Sequence, residues 1–354
     1  MNAAAIASPV AAADRVDYLR VDGYIASVIG ARSLKTAFEI GLIDHLLQRG
    51  SSPLPLLMRA TGADERGLSM LLALLQSAGI VEQHHGDVRL QADFRSVLRY
   101  RDLLETKLDF AGLLLDDFAD HFTALVRDPQ RFVGQGRLYE LFDYRRALSP
   151  GFENYQRTRA WMRLTSTLTR YETRALMAVH DFRLCRRLLD VGGNSGEFVL
   201  QLCRRHPELQ ATVFDLPLVC EVGLEHLLPE PEATRIGFVA GDLRTDVLPG
   251  GQDVVSFKSM LHDWPQEDVS RFLASAVDAL APGGRLLIFE RGPIDALRKA
   301  PGFADLPVLL FFRSYRPPEV YISLLAELGL QDIGCSALEL DTSFFVITGR
   351  KAVV

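Results

Sequence analysis

The sequence predicts an α/β protein, in which a mostly parallel sheet covered by helices on both faces follows a smaller, mainly α module. Two observations carry this. From residue 186 onward, near-continuous apolar strands at 187–191, 211–215, 237–241, 253–258, 284–290, 330–337 and 343–348 alternate with helical segments at 196–205, 218–228, 265–281 and 318–328. Strands that apolar are buried on both faces, which is the situation of parallel strands sandwiched between helices. Residues 16–100 instead show helical periodicity followed by two short strands around a turn.

The first module is predicted element by element. Apolar residues recur at helical spacing through 24–47, interrupted at Gly41. A second helix starts near Pro53, and a third is capped by Asp64 and runs through 68–77. Strands at 79–82 and 88–90 flank the turn His85-Gly86-Asp87. Three helices and a wing make the winged-helix pattern, which raises the question of DNA. Residues 1–100 hold ten basic and ten acidic side chains, and Asp64 and Glu65 sit where the third helix would meet phosphates. Counterion release needs several basic contacts there. The module is therefore expected to pack against protein, as a dimerisation surface, and to bind no nucleic acid. Domain boundaries are expected at 1–100 for this module, 101–180 for a helical linker or substrate-lid region whose aromatics either pack together or wall the acceptor pocket, and 181–354 for the sheet domain.

Composition excludes several classes. With 48% hydrophobic and 24% charged residues the chain is globular, and a net charge of −6 argues against a broad nucleic-acid footprint. No run of 18 apolar residues occurs, so no membrane span is expected. The Ala-rich opening lacks a basic start, so a frayed N-terminus on a cytoplasmic protein is expected rather than a signal peptide. The four cysteines form no CxxC pair and the histidines are scattered, so buried reduced thiols and no metal are expected.

The chemistry lies at the strand ends, where parallel sheets bind ligands. The first strand ends in Leu189-Asp190-Val191-Gly192-Gly193-Asn194-Ser195-Gly196 and runs into a helix. Gly192, Gly193 and Gly196 let the backbone approach a ligand, and the helix N-terminus offers free N–H groups to a carboxylate. Adjacent glycines depart from the G-x-G-x-x-G spacing of nicotinamide dinucleotide sites. The next two strands end in acids, Asp215 before Leu216 and Asp242 before Leu243. The first can accept from both ribose hydroxyls and the second from an adenine amine, so the ordered set points to an adenosine ligand. The fourth strand ends in Lys258-Ser259-Met260-Leu261-His262-Asp263-Trp264 and the fifth in Glu290. Neighbouring strands bring His262 and Glu290 into one crevice, where a carboxylate orients the imidazole as a general base.

These motifs, DVGGNSG, VFDLP, GDL and LHDW followed by IFE, resemble in order and spacing the small-molecule O-methyltransferases that carry an N-terminal winged-helix dimerisation domain. The resemblance spans roughly residues 20–350. It implies a Rossmann-like, seven-stranded methyltransferase domain, S-adenosylmethionine as cofactor, a homodimer and a small-molecule acceptor. It implies His262 as the base that deprotonates a hydroxyl, Glu290 as its fixing partner, and Asp263 beside them. Gly192, Asp215, Asp242, Leu243 and Lys258 fall on the family's cofactor-binding positions, with Asp190, Gly193, Gly196 and Leu216 in the same motifs. Trp161, Met162 and Phe312 are the candidates for contact with the acceptor.

One departure stands out. The family often has a Gly-Gly-x-Glu-Arg turn whose acid is a second partner of the histidine. Here the chain reads Phe311-Phe312-Arg313-Ser314-Tyr315-Arg316, with Tyr315 or Ser314 at the acid's place. A less firmly held base is expected, and with it two rival readings: transfer to carbon or nitrogen (or non-methylating chemistry) on the same fold, and a winged-helix regulator with a degenerate cofactor domain.

Overall fold

The computed structural model describes residues 7–10, 18, 28–128, 131–132, 135–136, 140, 143–293 and 315–353. The chain forms two units, one built on the N-terminal module and the long helix after it, the other on the sheet.

In the N-terminal unit, Gly41 breaks the expected first helix in two. Its φ of +73° is a left-handed turn that separates α1 (Val28–Glu39) from α2 (Leu42–Arg49). Helix α3 (Leu54–Thr61) follows Pro53, which is extended at its N-cap. Helix α4 (Glu65–Ser77) is capped as expected, the Asp64 carboxylate accepting from the backbone N–H of Arg66 and Gly67. Leu68, Leu71, Leu72 and Leu75 of α4 are buried, the i, i+3, i+4, i+7 stripe of an amphipathic helix.

The wing is a hairpin of β3 (Val81–His84) and β4 (Asp87–Leu90), shifted slightly from the expected strands. His85 and Gly86 both have positive φ, which suits the two-residue turn between twisted strands. A third strand, β2 (Ser51–Pro53), pairs antiparallel with β4 and was not anticipated, because three residues are too short to show a period. After α5 (Ala92–Val97), helix α6 (Arg101–Arg127) buries Leu103, Leu104, Leu108, Ala111 and Leu114 and is tied back by Lys35–Asp109 and Arg101–Asp44 ion pairs.

The second unit contains α7 (Phe152–Val179), then β5 (Arg187–Val191), α8 (Glu197–Arg205), β6 (Gln210–Asp215), α9 (Pro217–Leu227), β7 (Ile236–Ala240) and β8 (Gln252–Lys258). It continues through α10 (Gln266–Ala279), β9 (Leu280–Arg291), α11 (Pro318–Glu327), β10 (Gln331–Glu339) and β11 (Ser343–Arg350). Strands β7, β6, β5, β8 and β9 are mutually parallel, and β11 lies antiparallel between β9 and β10. The seven expected strands are thus present. An eighth, β1 (Ala7–Val10), pairs parallel with β10 at the sheet's edge. That corrects the expectation of a frayed N-terminus: small residues are no bar to an edge strand when β10 offers free backbone groups.

The core packs Leu189, Val191, Val255 and Ile288 from the strands against Phe272 of α10 and Tyr321 of α11. All four cysteines are free and buried. Strand order reverses between β5 and β8, and this switch point opens a crevice at the strands' C-terminal ends. Among the described residues, no helix is long and apolar enough to cross a membrane.

Candidate active site

On one side of the switch point, the turn after β5 is pressed against its neighbours. Gly192 has φ +68°, and a Cβ there would lie 2.5 Å from the Met260 side chain. A Cβ on Gly193 would lie 2.5 Å from an Asp190 carboxylate oxygen and 2.9 Å from Val213. Any other residue at either position would have to displace those side chains. The buried Asp190 accepts from the Ser256 hydroxyl at 2.7 Å through one oxygen, while its other oxygen is buried without a partner. Burial pushes its pKa up to about 7.

Asp215, at the end of β6, accepts from the backbone N–H of Asn194 at 2.8 Å and of Leu216 at 2.7 Å, so it also fixes the glycine turn. Burial raises its pKa to about 6 against those two hydrogen bonds. Helix α7 buttresses the same turn from outside. Thr165 donates to the Asn194 side chain at 3.2 Å, Ser166 to the Ser195 hydroxyl at 2.6 Å, and Arg170 to Glu197 at 3.0 Å. Glu197 is buried and also meets His226 at 2.7 Å.

Asp242 is held differently. Arg244, two residues on, takes both of its carboxylate oxygens and keeps its pKa below the usual range, so an adenine amine would share an acceptor already engaged. Leu243 packs half-buried against the core.

Across the switch point, the chain leaves β8 through Ser259 with φ +49° and forms a short 3-10 turn, Leu261–Asp263. Glu290, 1% exposed at the end of β9, lies 2.9 Å from His262 Nδ1. The Asp263 carboxylate lies 3.4 Å from His262 Nε2 and accepts from the Tyr144 hydroxyl at 2.7 Å. Burial pulls the His262 pKa down, but Glu290 and Asp263 together outweigh it, and the net shift is upward. The Arg316 guanidinium donates to the carbonyls of Leu261 and Trp264 and so brackets the turn. Lys258 and Arg291 both pair with Glu172 of α7 in a buried cluster.

Residues 134–304 match the O-methyltransferase domain family. The chain is 30% identical over 339 residues to the 3-hydroxy-5-methyl-1-naphthoate 3-O-methyltransferase of Streptomyces sahachiroi, covering 91% of this chain and 90% of that one. It belongs to the O-methyltransferase family. The solved apo structure of the S-adenosylmethionine-dependent methyltransferase SibL superposes with a TM-score of 0.68 at 27% identity, over 92% of this chain and 96% of that one. A further relative, the L-tyrosine C(3)-methyltransferase of Streptomyces lavendulae, is 25% identical over 307 residues, covering 82% of this chain and 81% of that one. This methyltransferase uses S-adenosylmethionine, as members of the family do.

The methyltransferase's own residues fit that cofactor. The glycine turn leaves no room for side chains, Asp190 has an unpaired buried oxygen beside it, and a carboxylate of raised pKa stands at the end of β6.

The expected site residues therefore divide. Asp190, Gly192, Gly193, Gly196, Asp215 and Leu216 surround one turn, and His262, Asp263 and Glu290 form one cluster. Lys258 lies at the end of β8, turned to Glu172. Trp161 packs against Tyr144 with the rings tilted by 58° and their centroids 5.2 Å apart, at a small cavity that Arg146 and Arg157 also line. Met162 is 1% exposed and packs with Ala147, Leu218 and Val222, as a core residue does. Phe312 and Ser314 lie outside the described residues.

Tyr315 stands at the missing acid's place, its buried ring 4.8 Å from the imidazole of His262. His262 is nevertheless not short of a carboxylate, because Asp263 supplies a second one from the next residue. Tyr144, Glu172, Arg291 and Arg316 were missed by sequence reasoning. Arg291 alone carried a signal, as a charge directly after a strand-end acid.

Proposed function

We propose that this enzyme transfers the methyl group of S-adenosylmethionine to a hydroxyl of a small aromatic secondary metabolite, with His262 as general base. The observation that carries the reading is the His262–Glu290 pair at 2.9 Å, buried at the switch point and adjacent to the glycine turn. Relatives point the same way, since the naphthoate enzyme, a mitomycin 6-O-methyltransferase and a 3-amino-4-hydroxybenzoate 4-O-methyltransferase are all named for aromatic acceptors or their products. Asp215 would hold the ribose, the turn at Gly192, Gly193 and Gly196 the amino-acid end, and Leu243 and Asp242 the adenine.

The cofactor supplies an electrophilic methyl group on a sulfonium, so the protein's work is alignment and removal of one proton. A phenol near pKa 10 and a histidine near 6.5 differ by about 3.5 units, or roughly 4.8 kcal/mol. Glu290 narrows that gap by accepting from Nδ1, which leaves Nε2 to take the proton. Around it lie three carboxylates, Glu290, Asp263 and Glu172, against two cations, Lys258 and Arg291. A proton on His262 brings that buried set to neutrality.

His262→Ala is expected to leave cofactor affinity nearly unchanged and to cut turnover roughly 10²–10⁴-fold, the usual contribution of a positioned base. The wild-type rate should rise with pH through an inflection above about 6.5, because only neutral imidazole accepts a proton. The tyrosine C-methylating relative keeps transfer to carbon as a second reading. Under it, His262→Ala retains most activity and the pH profile follows the substrate.

The enzyme is further read as a cytoplasmic homodimer that binds neither nucleic acid nor membrane, its N-terminal unit forming the interface. Ile29, Met70 and Val126 of that unit are at least 60% exposed, a costly display unless covered. Light scattering at micromolar concentration should find a dimer, and a monomer would contradict this assignment.

A further inference from the structure

Glu172 lies near the C-terminal end of α7, four-hundredths exposed by its side chain, where a carboxylate is costly unless paired. Its partners come from two strand ends. Lys258 closes β8 and gives its ammonium to one oxygen, and Arg291 closes β9 and gives its guanidinium to the other at 2.5 Å. Arg291 is the residue after Glu290, and its backbone N–H donates to the same Glu290 oxygen that meets His262. The other Glu290 oxygen is buried without a partner, and so is Arg291 Nε. An acceptor and a donor on consecutive residues are thus both unsatisfied, while the guanidinium is committed to Glu172 and, at 3.2 Å, to the Ser259 hydroxyl.

We propose that Glu172 is a positioning residue of the methyl transfer: it takes the Arg291 guanidinium and the Lys258 ammonium, and so leaves the Glu290 carboxylate to His262. This rests on the general-base reading of His262. Among the described residues, the groups facing His262 include Glu290, Asp263 with Tyr144 behind it, Arg291 and Tyr315. Of these, Arg291 opposes a proton on the imidazole, and the two carboxylates favour it. Without Glu172, Lys258 and Arg291 lose the carboxylate that they share, while Glu290 and Asp341 still act on Arg291. Arg291 then acts more strongly on the imidazole and competes for the free Glu290 oxygen, and the base becomes weaker. The same helix buttresses the glycine turn through Thr165, Ser166 and Arg170, so one rod supports both halves of the site.

The test is an NMR titration of labelled histidines in the full-length protein, with His262 assigned by its loss in His262→Ala. Glu172→Gln keeps the shape and removes the charge, and should lower the His262 pKa by about half a unit or more, while Glu172→Asp keeps the charge and should hold the wild-type value. Arg291→Gln should move it upward. The acid-side inflection of kcat should follow each shift, with S-adenosylhomocysteine affinity within about twofold for Glu172→Gln. Equal His262 pKa values in wild type and Glu172→Gln would overturn the proposal. Should Glu172→Gln fail to fold, an unmoved pKa in Arg291→Gln overturns it instead. An active His262→Ala alongside the expected pKa shifts would remove the base assignment and leave the electrostatic role of Glu172 standing.

Discussion

The turn after β5 and the turn after β8 sit at adjacent strand ends and are held by opposite kinds of force. The first is fixed mainly by shape and hydrogen bonds: glycines with no room for a Cβ, backbone N–H groups on the Asp215 carboxylate, and hydroxyls of α7 on Asn194 and Ser195, with the Arg170–Glu197 ion pair behind them. The second is fixed by charge, with His262 between Glu290 and Asp263, and Lys258 and Arg291 on Glu172. The division suits the roles proposed for the two turns. A turn that only has to grip a ligand needs rigid shape, whereas a turn that has to accept a proton needs a field that changes little when the proton arrives.

The contrast can be broken from the first side by Asp215→Ala. That substitution removes the acceptor for Asn194 and Leu216 and the expected ribose partner, and should cost about 1.5–3 kcal/mol of cofactor affinity, or roughly 10–150-fold. Calorimetry reads it directly, and turnover at saturating cofactor should change far less than affinity. Binding of a nicotinamide dinucleotide in its place would overturn the cofactor assignment.

A finer probe from the second side is Glu290→Gln. Removing the carboxylate lowers the raised His262 pKa, so the inflection of kcat should move to lower pH and turnover should fall about tenfold, less than in His262→Ala. Cofactor affinity should stay within about twofold. A larger effect on affinity than on turnover would mean that the two sides are not separable in this way.

The same contrast explains what could be read from the sequence. Strands β5, β6, β8 and β9 announce themselves because an apolar run ends abruptly in Asp190, Asp215, Lys258 or Glu290, and a polar residue at that point has few structural reasons to be there. Gly192 and Gly193 are legible for a similar reason, since adjacent glycines at a strand end signal close approach. Glu172 was invisible because an acid within a long, mixed helix looks solvated, and only the fold reveals the two cations it meets. Met162 failed in the other direction: a methionine beside an aromatic in a pocket-forming region looks ligand-facing, yet packing against α9 buries it. Tyr144 reaches Asp263 across 119 residues of sequence, a contact that no local pattern encodes.

Helix α7 is 28 residues long, and Trp161 and Glu172 lie three turns apart on it. For evolution or design, that makes the proposed acceptor pocket and the proposed base poor candidates for independent adjustment. A substitution that tilts or rotates the rod to admit a new ring also moves the counter-charge of Arg291 and the hydroxyls behind the glycine turn. New acceptors are therefore more readily admitted by changing side chains on the helix's first turns than by shifting the helix itself, and libraries aimed at altered specificity should leave 165, 166, 170 and 172 untouched.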